Sequence, residues 1–169
     1  YDQVVERLLN IDDLTGLFVR RKFDEELAAL LARAAHASVP VGLLVMDLDG
    51  VKVINDTYGH LYGAHVIGEA GRVIGRTIKH NGFASRFGGD EFVAALRRAD
   101  LAAAKQMGES ILAAIRAHHF EYEGVELHPG ISIGVSAYPD GGTTPHALFE
   151  QADHALYRAK RAGKGCVRT

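Results

Sequence analysis

The sequence predicts an α/β fold in which helices flank a mixed, mainly antiparallel central sheet. Segments whose apolar residues recur at helical spacing alternate with short, apolar, β-branched segments typical of strands. Two of the strand-like segments are joined by a Gly-Gly pair, which indicates an antiparallel hairpin. A length of 169 residues with 47% hydrophobic content suits one domain with a single sizeable core.

The first half of the chain predicts helices around one buried strand. Residues 1–11 carry an apolar seam, which fits equally a helix that pairs with its own copy and a helix that packs on its own domain. The seam consists of Tyr1, Val4, Leu8 and Ile11. Next come a helix over 20–37, a strand over 41–46, a polar, turn-rich loop over 49–63 and a helix over 66–78.

The second half of the chain contains the hairpin and two further helices. In chain order the patterns predict strands over 83–87 and 92–96, a helix over 101–118, a strand over 127–138, a helix over 145–162 and a short strand after Gly165. Consecutive helices and strands with one hairpin favour a layered α/β domain.

Composition and charge argue against several classes of function. A net charge of −2, from 19 basic and 21 acidic residues, lacks the positive excess of a nucleic-acid-binding domain. No apolar run is long enough to cross a bilayer, so we expect a cytoplasmic domain without membrane contact of its own. The single Cys166 fits a reducing compartment. Because the sequence starts at Tyr1 without methionine, we expect an upstream sensor, which could be membrane-anchored, in the full-length protein.

Carboxylates follow the first predicted strand and occupy the hairpin turn. Asp47 and Asp49 leave an extended chain on the same face because they are two residues apart. Asp90 and Glu91 follow the flexible Gly88-Gly89 pair, which can bring them toward that strand end. Such oxygens suit Mg²⁺ bound with nucleotide phosphates, although each motif alone also fits a solvated acidic turn.

Basic residues on the last helix offer a second feature. Asp153, Tyr157, Lys160 and Lys164 lie at i, i+4, i+7 and i+11, which places them along one helical face. The lysines could contact phosphates, or they could face water near the negative end of the helix dipole.

Six motifs, taken together and in order, resemble the GGDEF family of diguanylate cyclase domains. They are Asp13-Leu14-Thr15-Gly16-Leu17, Asp47-Leu48-Asp49 with Lys52, Asn55-Asp56-Thr57-Tyr58-Gly59-His60, Gly88-Gly89-Asp90-Glu91-Phe92, Ser132-Ile133-Gly134, and the segment from Ala152 to Lys160. The resemblance covers nearly the whole chain. It implies a fold similar to adenylyl cyclase catalytic domains and polymerase palms, with residues 12–169 as the catalytic domain and residues 1–11 as the end of a signalling or dimerisation helix.

The resemblance also implies a role for each matching residue. Asp47 and Asp90 would hold Mg²⁺, or Mn²⁺ in its place, together with the Leu48 carbonyl. Glu91 would support this site, and Gly88 and Gly89 would lie beside the bound GTP. Asn55 would hydrogen-bond guanine. The triphosphate would be contacted by Lys52, Lys160 and Lys164. Two GTP-loaded domains would form a homodimer, in which each 3′-hydroxyl attacks the partner's α-phosphorus, so a lone monomer could not close the ring.

Several positions depart from the family pattern. Ala64 replaces the Asp that helps Asn55 to bind guanine, which predicts weaker GTP binding or an altered base choice that admits ATP. Lys79-His80-Asn81-Gly82 replaces the Arg-x-x-Asp product-inhibition motif, so no tight product binding is expected there.

Three further positions differ from the family pattern without a physical explanation in the sequence. The family usually has Asn where this chain has Val19, Phe where it has Val51, and Asn where it has Gly165.

Three hypotheses follow from the sequence. The first is a cyclase that converts two GTP molecules into cyclic di-GMP, because the metal carboxylates, Asn55 and the phosphate lysines are all present. The second is a cyclase with relaxed base choice that forms mixed products. The third is a GTP-binding regulatory module without activity, against which the intact segment Gly88 to Phe92 argues.

Overall fold

The computed structural model describes the chain from residue 2 to residue 169. Its helices are α1 (Asp2–Asn10), α2 (Arg20–Ala37), α3 (Val51–Tyr58), α4 (His60–Ile78), α5 (Leu101–Ala117) and α6 (Pro145–Arg161). Its strands are β1 (Val41–Asp49), β2 (Gly82–Gly88), β3 (Glu91–Arg97), β4 (Phe120–Tyr122), β5 (Val125–Leu127), β6 (Gly130–Tyr138) and β7 (Val167–Arg168). Within the described residues, no helix is both long and apolar enough to span a membrane.

The central sheet has the strand order β2-β3-β1-β6-β7. Strands β1, β2, β3 and β6 pair antiparallel, and only β7 runs parallel to its neighbour β6. The prediction of a mixed, mainly antiparallel sheet flanked by helices is therefore confirmed.

Each face of the sheet buries its own core cluster. Leu44, Met46 and Leu48 of β1 pack in the cluster that includes residues of α3, α4 and α5. Leu43 and Val45, which alternate with them, pack in the cluster that includes residues of α2 and α6. Because the alternation continues to the end of β1, the next two side chains on the α2 and α6 face are acidic.

The sequence analysis missed three short elements, one helix and the two strands of a small hairpin. The predicted loop over 49–63 contains α3, whose only buried residues are Val51 and Ile54, so its helical periodicity is too short to detect. The predicted strand over 127–138 is instead β6, preceded by the small β4–β5 hairpin. The turn of this hairpin has positive φ at Glu123 and Gly124, as in a type I′ turn.

Helix α1 exposes its apolar side chains. Val4 is 61% exposed and Leu8 is 70% exposed, so these two residues of the predicted seam do not pack on the domain in this chain. Tyr1, the first residue of the seam, lies outside the described residues. Arg21 donates hydrogen bonds to the Leu9 carbonyl and to Asn10 Oδ1, which fixes the end of α1 to α2.

Candidate active site

The hairpin turn between β2 and β3 lies against the end of β1. In the β1–β3 ladder Asp47 is opposite Glu91, and the Leu48 N–H donates to the Asp90 carbonyl over 3.1 Å. Adding a Cβ to Gly88 or Gly89 would meet no atom within 4 Å, so both glycines border open space. The turn therefore places a second acidic residue beside Asp47 and leaves room next to it.

The proximity of the two carboxylates changes the protonation of Asp90. Burial, the charge of Asp47 and a hydrogen bond with Asp47 raise the pKa of Asp90 to about 6. Two like charges close together disfavour the doubly ionised pair unless a cation is present. The pair is consequently a place where positive charge is stabilised.

Lys160 of α6 is the cation that the fold itself brings to this pair. Its ammonium group donates to Asp47 Oδ2. Burial disfavours the charge of Lys160, but the hydrogen bond with Asp47 and the negative charges of Asp47, Asp49 and Asp90 together outweigh burial and raise the pKa of Lys160. The glycine at position 134 permits this approach, since a Cβ there would lie 2.1 Å from the Ala152 carbonyl oxygen of α6.

One oxygen of Asp47 is left without a hydrogen bond. Asp47 Oδ1 is buried and has no partner among the described residues, which is costly for a carboxylate. No three His, Cys, Asp or Glu side chains cluster as a metal site between residues 2 and 169. These residues still fit Mg²⁺, because that ion is commonly held by one or two carboxylates, with the remaining ligands from other oxygens.

Asn55 is held at the junction of α3 and α4. Its side-chain oxygen Oδ1 is buried without a partner among the described residues. A Cβ at Gly63 would lie 1.9 Å from this oxygen, so only glycine leaves space for the Asn55 side chain. The neighbouring Ala64 supplies no polar atom, which leaves Asn55 as the polar side chain of the two.

The remaining predicted residues do not join this cluster. Lys52 and Lys164 are exposed, and neither forms an ion pair among residues 2–169. Tyr157 is 60% exposed, with the Arg161 guanidinium 5.8 Å from its ring centroid. Of the face predicted on the last helix, Lys160 alone is bonded to the acidic pair.

The sequence analysis missed a support for the hairpin turn. Arg86 Nε donates to the Gly89 carbonyl over 3.0 Å, and Arg86 Nη1 lies 3.3 Å from Asp12 Oδ1. The other oxygen of Asp12 accepts from the N–H and the hydroxyl of Thr15. Asp12 and Thr15 belong to a recognisable turn motif, but their link to residue 86 depends on tertiary contact.

Residues 79–82 form a closed corner at the far end of α4. Lys79–Asn81 make a 3-10 turn, with Lys79 at a φ of 49°. A Cβ at Gly82 would lie 1.9 Å from the Ala95 carbonyl oxygen. Position 82, where the Arg-x-x-Asp motif has its Asp, therefore has no room for a side chain.

An acidic pair, a bonded lysine and an unpartnered carboxylate oxygen at the end of a mainly antiparallel sheet form an arrangement that suits a metal ion bound together with a nucleotide. Residues 9–166 match the family model described as "Diguanylate cyclase, GGDEF domain". The chain belongs to the GGDEF family.

Three known proteins illustrate this relationship. Diguanylate cyclase DgcP of Pseudomonas aeruginosa is 40% identical over 153 residues, which cover 90% of this chain and 23% of DgcP. The GGDEF domain of PA1120 from the same species has a TM-score of 0.89 at 32% identity, covering 94% of this chain and 92% of that one. The GGDEF domain of DgcB from Caulobacter crescentus, solved in complex with c-di-GMP, has a TM-score of 0.86 at 32% identity, covering 94% of both chains. The chain spans 21% to 35% of the length of the first curated relatives that it matches.

Proposed function

We propose that this chain is a diguanylate cyclase domain that condenses two GTP molecules into cyclic di-GMP and releases pyrophosphate. The observation that carries the proposal is the convergence of Asp47 and Asp90 with a buried, unpartnered oxygen on Asp47. A GGDEF domain without catalysis has no physical need to keep two carboxylates in this unfavourable proximity.

The site residues suit the chemistry of nucleotidyl transfer. Asp47, Asp90 and the Leu48 carbonyl would hold Mg²⁺, or Mn²⁺ in its place, and Glu91 would support them from the adjacent ladder position. The bound ion would neutralise charge on the phosphates of GTP. Lys160 is already at the acidic pair, so it can hold a phosphate close to Asp47, while Lys52 and Lys164 are free to contact the rest of the triphosphate.

Ring closure would require two copies of the domain. Each 3′-hydroxyl forms a bond to the α-phosphorus of the other GTP, the bond to the pyrophosphate leaving group breaks, and the hydroxyl proton is lost. One domain supplies a single site of this kind. The exposed apolar side chains of α1 support the proposal that residues 1–11 end a helix that brings two copies together under control of an upstream domain.

Product inhibition through residues 79–82 is not expected. Lys79 lacks the bidentate geometry of arginine, and Gly82 has no room for the carboxylate that would pair with it. We therefore propose a cyclase whose product does not bind tightly at this corner.

A second candidate function is a cyclase with altered base choice. Ala64 offers no hydrogen bond next to Asn55, so the penalty that an Asp would impose on adenine is absent. In this case ATP competes for the site, and cyclic GMP-AMP or mixed products form. The third hypothesis, a GTP-binding module without activity, is one of the outcomes that the following test distinguishes.

Mass spectrometry of the products distinguishes these functions. The chain, fused to a dimeric coiled coil ahead of α1, is incubated with Mg²⁺ and GTP, ATP or both. Cyclic di-GMP as the sole product supports the first proposal, and a mixed dinucleotide supports the second. If neither the chain nor its Asp90→Asn variant forms any product, the chain is a binding module. The Ala64→Asp variant is the matched control, because it should suppress any mixed product.

A further inference from the structure

We propose that Asp49 and Ser132 are positioning residues that hold Lys164 in place for the triphosphate. The inference rests on the proposed function only in assigning Lys164 to the phosphates. The anchoring of the turn that carries Lys164 is supported independently by hydrogen bonds among the described residues.

Lys164 lies in a tight turn that ends α6. Gly163 N–H donates to the Lys160 carbonyl over 3.3 Å and Lys164 N–H donates to the Ala159 carbonyl over 3.0 Å, the paired bonds of a Schellman motif. The values of φ at Gly163, Lys164 and Gly165 are 112°, 66° and 59°. Lys164 therefore has a left-handed conformation that a residue with a Cβ does not prefer, so neighbouring contacts must maintain it.

The contacts that maintain the turn come from β1, β6 and α5. Gly165 N–H lies 3.0 Å from Ser132 Oγ and 3.2 Å from Asp49 Oδ2, so it donates to both. The Ser132 hydroxyl donates in turn to Asp49 Oδ2 over 2.8 Å. Ser132 is fully buried, which makes its hydroxyl orientation depend on these two partners. Arg116 donates to the Gly165 carbonyl over 2.8 Å and secures the other side of the same residue.

This anchor explains a substitution that the sequence left without an account. Position 165, where relatives of the family usually have Asn, requires positive φ, and glycine and asparagine are the two residues that adopt it most readily. The side chain is dispensable there because the anchor uses the backbone N–H.

The anchor also ties the turn to the metal carboxylates. Asp49 and Asp47 are two residues apart on β1 and share the face covered by α6, and both act on the charge of Lys160. With Lys160 bonded to Asp47 and Gly165 bonded to Asp49, the segment that carries Lys160 and Lys164 is held at both ends by β1. A phosphate ligand would thus meet Lys164 in a fixed place rather than on a free chain end.

The test measures binding and local opening rather than turnover. The variants are Ser132→Ala and Asp49→Asn, with Ser136→Ala as the matched control. Ser136 is on the same strand and face, is 3% exposed and donates its hydroxyl to the Leu148 carbonyl, away from the turn. Binding of a GTP analogue that cannot cyclise is measured by calorimetry with Mg²⁺, and hydrogen exchange of the Gly165 amide is measured by NMR.

The expected result is specific to the turn. Ser132→Ala should weaken analogue binding about three- to tenfold, the effect of one lost hydrogen bond, and should speed exchange of the Gly165 amide. Ser136→Ala should change neither quantity. In a Lys164→Ala background, Ser132→Ala should cause no further loss of binding, because its effect acts through the lysine.

Other outcomes overturn the inference. Additive losses from Ser132→Ala and Lys164→Ala, or unchanged Gly165 exchange in Ser132→Ala, would show that Ser132 does not position the turn, while the proposed function would stand. If Lys164→Ala binds the analogue as well as the unaltered chain, the assignment of Lys164 to the triphosphate fails together with this inference. Should Ser132→Ala not fold, Asp49→Asn, which keeps the shape of its side chain, decides by the same criteria.

Discussion

The ammonium group of Lys160 on α6 is bonded to the carboxylate of Asp47 at the end of β1, 113 positions earlier in the chain. Asp90, from a third element, shares this site and has its pKa raised to about 6, chiefly by burial and then by Asp47. One lysine therefore faces two carboxylates, and one oxygen of Asp47 has no partner among the described residues. The site is short of positive charge, which is the property that a nucleotide-binding metal site requires.

Replacement of Lys160 should raise the pKa of Asp90 further. The positive charge of Lys160 lowers this pKa at present, so Lys160→Met removes a favourable interaction of the ionised carboxylate. Titration of the Asp90 carboxyl carbon by NMR measures the value directly. Lys22→Met, which removes a lysine paired with Glu26 on α2, is the control and should leave it unchanged. An Asp90 pKa at or below that of the unaltered chain in Lys160→Met would contradict the electrostatic account.

Ionisation of Asp90 should destabilise the free domain as pH rises. The folded-state pKa is raised from 3.8 to about 6, so the stabilising contribution is complete below the ordinary value and is lost as pH rises through about 6. Urea unfolding of the chain and of Asp90→Asn from pH 4 to pH 7.5 should show the chain losing stability relative to the variant in this window. Mg²⁺ should restore stability to the chain at pH 7.5 and not to the variant. Parallel pH curves for the two proteins would rule the account out.

Insertion of the missing carboxylate at position 82 should not create a product site. In Gly82→Asp the new Cβ would lie 1.9 Å from the Ala95 carbonyl oxygen, so the β2–β3 ladder must shift, at a cost of about 1–3 kcal/mol. Urea unfolding measures this cost, and calorimetry with cyclic di-GMP should detect no tight binding even when Lys79→Arg is added. Asn81→Asp, an exposed position in the same 3-10 turn, is the control and should be tolerated. A stable double variant with tight product binding would refute the steric argument.

A side-chain cap on α2 should stabilise the domain. Val19 is the N-cap residue, with φ −74° and ψ 160°, and it makes no capping hydrogen bond. Val19→Asn supplies an acceptor for the first turn of the helix and should raise the free energy of unfolding by about 1 kcal/mol. Thr144→Val, which removes the existing cap that accepts from the Ala147 N–H, should lower it by a similar amount. A cap at position 19 would explain why the family usually has Asn there. If Val19→Asn does not raise the free energy of unfolding, this explanation is wrong.

Much of the fold could be predicted from the sequence because its long elements bury regular apolar patterns. The predicted helix over 20–37 coincides with α2, and the strands over 83–87 and 92–96 each lie within one residue of β2 and β3 at both ends. Short elements could not be predicted, because they bury too few residues to show such a pattern. Helix α3 buries two side chains, and β4 and β5 have three residues each, so none of the three presents a detectable period. Val51, whose difference from the family pattern the sequence analysis left unexplained, is a buried residue of α3.

By itself the sequence determined the class of fold and the family, and it predicted which residues carry the chemistry, because periodicity and motif spacing are local properties of the chain. The tertiary structure alone decided which of these residues meet. It brought Lys160 to Asp47 and Asp90, bound Arg86 to Asp12, and fixed the Lys164 turn to Asp49 and Ser132. It also closed position 82 to any side chain. These relationships join residues far apart in the chain, and they depend on how the faces of the sheet are covered by helices, which no local pattern encodes.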